Sequence, residues 1–190
     1  MKVHNTVFQL QEGVVNPYDI KCDLWEYFPN REKNDRPFVY AISPESVERA
    51  IVKMRSVVKP SAAVQRYEVL DSYAQEVNFV EGGAYQIHLI GVPYRKVDGK
   101  LLCHLTPKHQ LSWFMRHFSG IVDVKSVDVT ESEWRVIDMH KDRSPFRLLY
   151  VVFVATVVVK DKEGMTEAYA RGIGGKRVFG SGLINVRRIG

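Results

Sequence analysis

Residues Phe146 to Ile189 read FRLLYVVFVATVVVKDKEGMTEAYARGIGGKRVFGSGLINVRRI. The run Leu148 to Val159 is twelve residues, apolar but for Thr156. A membrane-spanning helix needs about 20, and the many β-branched residues favour a buried strand. Asp161 to Gly172 then reads as a short helix ending in glycine, and GLINVRRI as a closing strand. Between helix and strand stand two Gly-x-Gly units, Gly172/Gly174 and Gly180/Gly182, with Gly175, Lys176 and Arg177 between them.

Working upstream, Ala84 to Val92 reads as a strand, and Pro107 to Phe118 as a helix with Thr106 as N-cap and Pro107 at its first position. Leu111, Phe114, Met115 and Phe118 fall at i, i+3, i+4 and i+7, one apolar face. Gly120 ends the helix, and Val122 to Val129 is a strand. The order is βαββαβ, the split motif of ferredoxin-like folds. The first half follows the same rhythm. VHNTVFQL is a strand, and Asn16 to Asn30 a helix with Asn16 as cap and Ile20, Leu24, Tyr27 and Phe28 as its core stripe. PFVYAIS is a strand, and ESVERAIVKMRS, whose apolar residues also fit a helix, is read as a strand to complete the match. Residues 57–80 carry no clear pattern. The expectation is an α+β chain of two tandem ferredoxin-like (RRM-like) domains, residues 1–80 and 84–190, with the boundary near Glu81 to Gly83.

The net charge is +5 and the pI about 9.2. Arg171, Lys176, Arg177, Arg187 and Arg188 lie in the last twenty residues with no acidic residue among them. Such a surface fits an anionic partner, nucleic acid first. Cys22 and Cys103 are far apart and no secretory signal is readable, so both thiols are expected reduced and the protein cytoplasmic, without membrane or cofactor. No Cys/His group has metal-ligand spacing. A glycine-rich turn exposes backbone N–H groups and lets phosphate approach. The Gly-Lys-Ser/Thr ending of a P-loop is absent, and a dinucleotide fingerprint would follow a strand rather than a helix.

The segment GIGGKRVFGSGLINV resembles the C-terminal glycine-rich loop of the CRISPR repeat-processing endoribonucleases, and within them the CasE-type branch of type I-E complexes. NPYDIKCDLWEYFPNREKNDRPFVY is similar to the N-terminal block of that branch. The resemblance implies a metal-independent enzyme that cuts precursor CRISPR RNA at the base of the repeat stem-loop. The upstream 2′-hydroxyl attacks the adjacent phosphate, leaving a 2′,3′-cyclic phosphate and a 5′-hydroxyl. It also implies that the enzyme keeps its RNA product and joins other subunits of an effector complex. Type IV systems use similar subunits.

In that branch the first helix carries a Tyr and, three residues later, a His. Here these positions hold Tyr18 and Lys21, so one helix face is kept and the imidazole lost. For a lysine to serve as base at neutral pH, its pKa must fall about three units, roughly 4 kcal/mol, against the pull of a nearby phosphate. Lys21 is therefore assigned as the cation that stabilises the phosphorane and can protonate the leaving 5′-oxygen, and Tyr18 as a positioning donor. The alternative is a non-catalytic stem-loop-binding subunit that has lost turnover with its His. The expected RNA-binding residues are Gly172, Gly174, Gly175, Lys176, Arg177, Gly180 and Gly182 of the loop, Arg31 and Arg36 beside the first helix, and Lys141, Arg143 and Arg147 on a basic hairpin. His109 and His117 read as surface or partly packed residues, and His4, His88, His104 and His140 have no readable partner.

Overall fold

A computed structural model describes the chain except residues 11–15, 30–35, 45–49, 62–66, 141–143 and 190. The first half gives β1 (Lys2–Leu10), α1 (Pro17–Trp25), β2 (Phe38–Pro44), β3 (Ala50–Ser56) and β4 (Tyr67–Glu76). The second gives β5 (Ala84–Gly91), β6 (Tyr94–Val97), β7 (Lys100–Cys103), α2 (Pro107–Phe118), β8 (Val122–Ile137), β9 (Phe146–Val159), α3 (Lys162–Arg171), a 3₁₀ turn (Arg177–Phe179) and β10 (Ile184–Arg188). The strands form two antiparallel sheets, β2-β3-β1-β4 and β10-β5-β9-β8, with β6-β7 as a separate hairpin. Each sheet places its fourth strand beside its first and its third between first and second. That is the ferredoxin-like order, twice.

The stripe read on α1 is the buried one: Ile20, Leu24, Tyr27 and Phe28 pack with Phe8, Phe38, Tyr40, Val52 and Met54. Asn16 caps the helix, its Oδ1 accepting from the Tyr18 N–H at 3.2 Å. The helix ends at Trp25, short of the expected Asn30, and Glu26 to Phe28 continue as a turn. AIVKM is a strand, as read, because β3 is central and buried on both faces.

The rhythm asked for a second helix between β3 and β4, and the described residues there contain none. The register gives a reason. β3 ends with Ser56 opposite His4, and β4 begins with Tyr67 opposite Leu10, so the link must retrace about 20 Å of strand. Ten residues separate the strands. Wound entirely as helix they would rise only about 15 Å. Ser61 lies along the end of α1, its N–H and hydroxyl both donating to Tyr27 O at 3.0 Å.

The second half differs from expectation in three places. The core face of α2 is Gln110, Trp113, Phe114 and Phe118, while Met115 is exposed. Trp113 takes the inward place because Gly91 leaves room for its ring against Phe153. Thr106 makes no side-chain cap; its hydroxyl lies 3.0 Å from His109 Nδ1. β8 runs eight residues beyond Val129, through a bulge between Val129 and Glu131, along the outer half of β9.

Candidate functional site

The site is assembled where α1 meets the glycine loop. Tyr40, fully buried on β2, has its Oη 2.6 Å from Pro17 O and 3.1 Å from Val178 O, so one phenol proton is shared between the first turn of α1 and the loop. Burial raises its pKa, which keeps that proton in place. Tyr150 on β9 donates to Phe179 O and fixes the loop from the other side. Tyr18 packs against the buried cluster of Val92, Ile137, Leu148, Tyr150 and Phe179, and the Lys21 ammonium lies 4.6 Å from its ring centre. The expected Tyr18–Lys21 face therefore stands beside the loop.

The glycines themselves are spent on closure. Gly172, Gly174, Gly180 and Gly182 all have positive φ. The two ends of the loop cross, with Ile173 N–H donating to Gly182 O at 2.9 Å and Gly182 N–H to Ile90 O at 2.7 Å. A Cβ on Gly172 would stand 2.6 Å from Gly182 O and 2.7 Å from Val39, so two glycines are needed at the crossing. Gly175 lies so close under the Tyr94 hydroxyl that any side chain would collide with it.

Charge gathers around this frame. The Lys176 ammonium is 5.4 Å from the Tyr94 ring centre, and burial, then Lys96, lowers its pKa. Arg177 Nη1 donates to Arg171 O at 2.8 Å and Gly172 O at 3.1 Å, which caps the end of α3. Arg36 rests over Phe38 with its Nη1 buried and, among the described residues, without a hydrogen-bond partner. Burial first, then the neighbouring Arg177, lowers its pKa to about 10. Two guanidiniums that repel each other, one with a buried unpaired donor, suit an anion between them. Arg147 is exposed at the start of β9, across from Val136. Arg31, Lys33, Lys141 and Arg143 lie outside the described residues.

Two contributors were not placed at this site from the sequence. The β6–β7 hairpin, turned at Asp98–Gly99, supplies Tyr94 and Lys96; the Asp-Gly pair was its signal. His140 docks on the first turn of α1. Its Nε2 is 3.0 Å from Asp19 Oδ2 and 3.3 Å from Asn16 Nδ2. Asn16 Nδ2 also donates to Asp138 O at 2.8 Å and to Asp19 Oδ2 at 3.0 Å. The hydrogen bond to Asp19 raises the His140 pKa, with the charges of Asp19 and Asp138 adding to it. No sequence signal links residues 121 apart. Among the described residues no three His, Cys, Asp or Glu side chains gather as metal ligands, and no helix is long and apolar enough to cross a membrane.

Solved structures share this fold at low identity. CRISPR endoribonuclease Cse3 bound to a 19-nucleotide RNA matches with a TM-score of 0.83 at 16% identity, over 98% of this chain and 99% of its own. Thermus thermophilus Cse3 bound to an RNA representing a pre-cleavage complex matches with 0.80 at 16% identity, over 97% of this chain and 99% of its own. The CRISPR-associated protein Cas6e from Escherichia coli str. K-12 matches with 0.79 at 18% identity, over 100% of both chains. A chain of a CRISPR RNA-guided surveillance complex matches with 0.77 at 15% identity, over 98% of this chain and 100% of its own. No curated protein matches the sequence. The model of one family, described as CRISPR associated protein, matches residues 3–188, and the chain belongs to that family.

Proposed function

We propose that this protein is a metal-independent endoribonuclease acting in the cytoplasm. It cuts precursor CRISPR RNA at the base of the repeat stem-loop and retains the mature guide as a subunit of a type I-E or similar effector complex. The observation that carries this reading is the joining of the Tyr18–Lys21 face to the basic glycine loop through the shared proton of Tyr40. The scissile phosphate sits over Tyr18. Lys21 supports the charge that builds on the phosphorane, as a preorganised cation does best. Tyr18 positions a phosphoryl oxygen with its phenol. Arg36, Lys176 and Arg177 hold neighbouring phosphates, and the hairpin with Lys141, Arg143 and Arg147 follows the stem, where A-form RNA offers shape and phosphates rather than base edges. The loop glycines 172, 174, 175, 180 and 182 let this backbone close without side chains in the way. The matched Cse3 is named as a CRISPR endoribonuclease and was solved with RNA, which supports the substrate class. The domain division at residues 80 and 84 follows from the same reading.

The test is direct. Protein mixed with a repeat RNA in EDTA should give one cut, with 2′,3′-cyclic phosphate and 5′-hydroxyl ends, and the stem-loop product should stay bound. Binding without any cut would favour the stem-loop clamp, a reading that rests on Lys21 standing where the branch has a His.

A further inference from the structure

Lys21 leaves the proposed reaction with a charge but without a group suited to give up a proton near neutral pH. The molecule holds an imidazole close by. Round the helix, Lys21 lies on one side of Tyr18 and Asp19 on the other. Asp19 is the residue that holds His140, at 3.0 Å from Nε2. Two hydrogen bonds hold the residue: Asp19 accepts from Nε2–H, and the His140 backbone N–H donates to Asp138 Oδ1 at 2.9 Å, while the Asn16 amide holds Asp19 Oδ2 and Asp138 O in place. His140 adopts φ 48, a conformation side chains seldom hold unless the surroundings impose it. Exposed ion pairs add little stability, so this bracing does more for the orientation of the ring than for the fold. Nδ1 faces away from Asp19 and is 3.6 Å from Asp138 Oδ2, beyond a hydrogen bond. Among the described residues its proton is uncommitted. Met139, next in the chain, packs in the cluster that receives Tyr18.

We propose that His140, oriented by Asp19, is the catalytic acid that protonates the leaving 5′-oxygen at this cleavage site. The inference rests on the ribonuclease reading above. The 2′-oxygen forms its bond to phosphorus and releases its proton to water. The bond from phosphorus to the 5′-oxygen breaks, and the His140 imidazolium gives that oxygen its Nδ1 proton. The neutral ring then takes a proton back from solvent, so the step is balanced. Among the described residues the charged groups facing His140 are Asp19 from α1 and Asp138 from its own segment, with the Asn16 amide beside them. Both carboxylates hold the ring in the acidic form that the role requires. Lys21 keeps the phosphorane and does not spend its proton.

The experiment measures single-turnover cleavage of a repeat RNA and of the same RNA with sulfur in place of the scissile 5′-oxygen. A thiolate leaves without being protonated. His140→Asn should cut the oxygen substrate about 10²-fold more slowly, cut the sulfur substrate at nearly the native rate, and bind RNA unchanged. Asp19→Asn should move the alkaline fall of the native pH–rate profile to lower pH. Native speed of His140→Asn on the oxygen substrate, or equal slowing on both substrates, overturns the assignment while the ribonuclease reading stands. If the native protein cuts neither substrate, the ribonuclease reading fails and this inference fails with it.

Discussion

The proposed chemistry rests on single residues, and the sequence shows some of them better than others. Tyr18 and Lys21 were legible because one helix turn brings i and i+3 together. The partner of Asp19 was not, because His140 arrives from the β8–β9 connection, 121 residues away. Lys21→Ala should slow cleavage by about 10²-fold or more with RNA affinity nearly intact, measured by single-turnover kinetics beside a binding titration. Lys21→His should keep or raise the rate. The Arg36–Arg177 pair is proposed to serve binding instead. Replacing either with Ala should weaken stem-loop affinity and reduce the slope of log affinity against log salt by about one. An unchanged slope would remove that arginine from the interface. The His140–Asp19 contact has its own pH sign. The folded-state pKa of His140 is raised, so its docking on α1 is at full strength below the ordinary histidine value of about 6.5. It weakens as pH rises through the folded value. Amide exchange over the first turn of α1 should therefore quicken from mildly acidic to mildly alkaline buffer by more than the intrinsic rate change.

At the scale of elements, legibility follows burial. β9 and the α1 stripe bury long apolar patterns, and both were read correctly. The outer half of β8 is mostly exposed, so its polar residues carry no alternation to read. The α2 face was misplaced by one position because Trp113, next to Phe114, turns inward toward the cavity left by Gly91. The glycine loop was found as a motif, yet its packing role could not be seen without its neighbours. Gly175 makes that role measurable, since a Cβ there meets the Tyr94 hydroxyl. Gly175→Ala should destabilise the protein by about 1–3 kcal/mol through overpacking. Tyr94→Phe in the same chain removes the colliding oxygen and should recover most of the loss, a coupling that denaturant midpoints of the four proteins of the cycle can read. Additive effects would mean that the hairpin and loop do not press on one another.

Over the whole molecule, the question is what holds the two sheets as one body. Val39, Ala41 and Leu183 form a small apolar contact between them. Arg55, 4% exposed on β3, is the polar fastener. Its Nη1 donates to Tyr169 O at 2.9 Å and to Ile184 O at 2.8 Å, its Nε donates to Asn5 Oδ1 at 2.9 Å, and its guanidinium stacks 3.4 Å from the Tyr169 ring centre. Among the described residues no carboxylate faces this charge in those contacts; carbonyl and amide oxygens and an aromatic face solvate it. Burial lowers its pKa, with the Tyr169 interaction opposing the shift. The sequence could not announce this fastener, because an arginine between Met54 and Ser56 reads as the outward residue of a strand until a second sheet covers it. Arg55→Met keeps the bulk of the stem and removes every donor. The carbonyls of Tyr169 and Ile184 then lose a buried partner, at a cost of about 2–3 kcal/mol together. The native protein should melt in one transition. The variant should melt earlier, and because its loss falls between the sheets and not within either core, its calorimetric trace should broaden or split in two. The glycine loop and α1 sit at the same junction, so stem-loop affinity should fall in the variant even though Arg55 touches no RNA. A single sharp transition at the native temperature would show that the apolar contact alone couples the sheets.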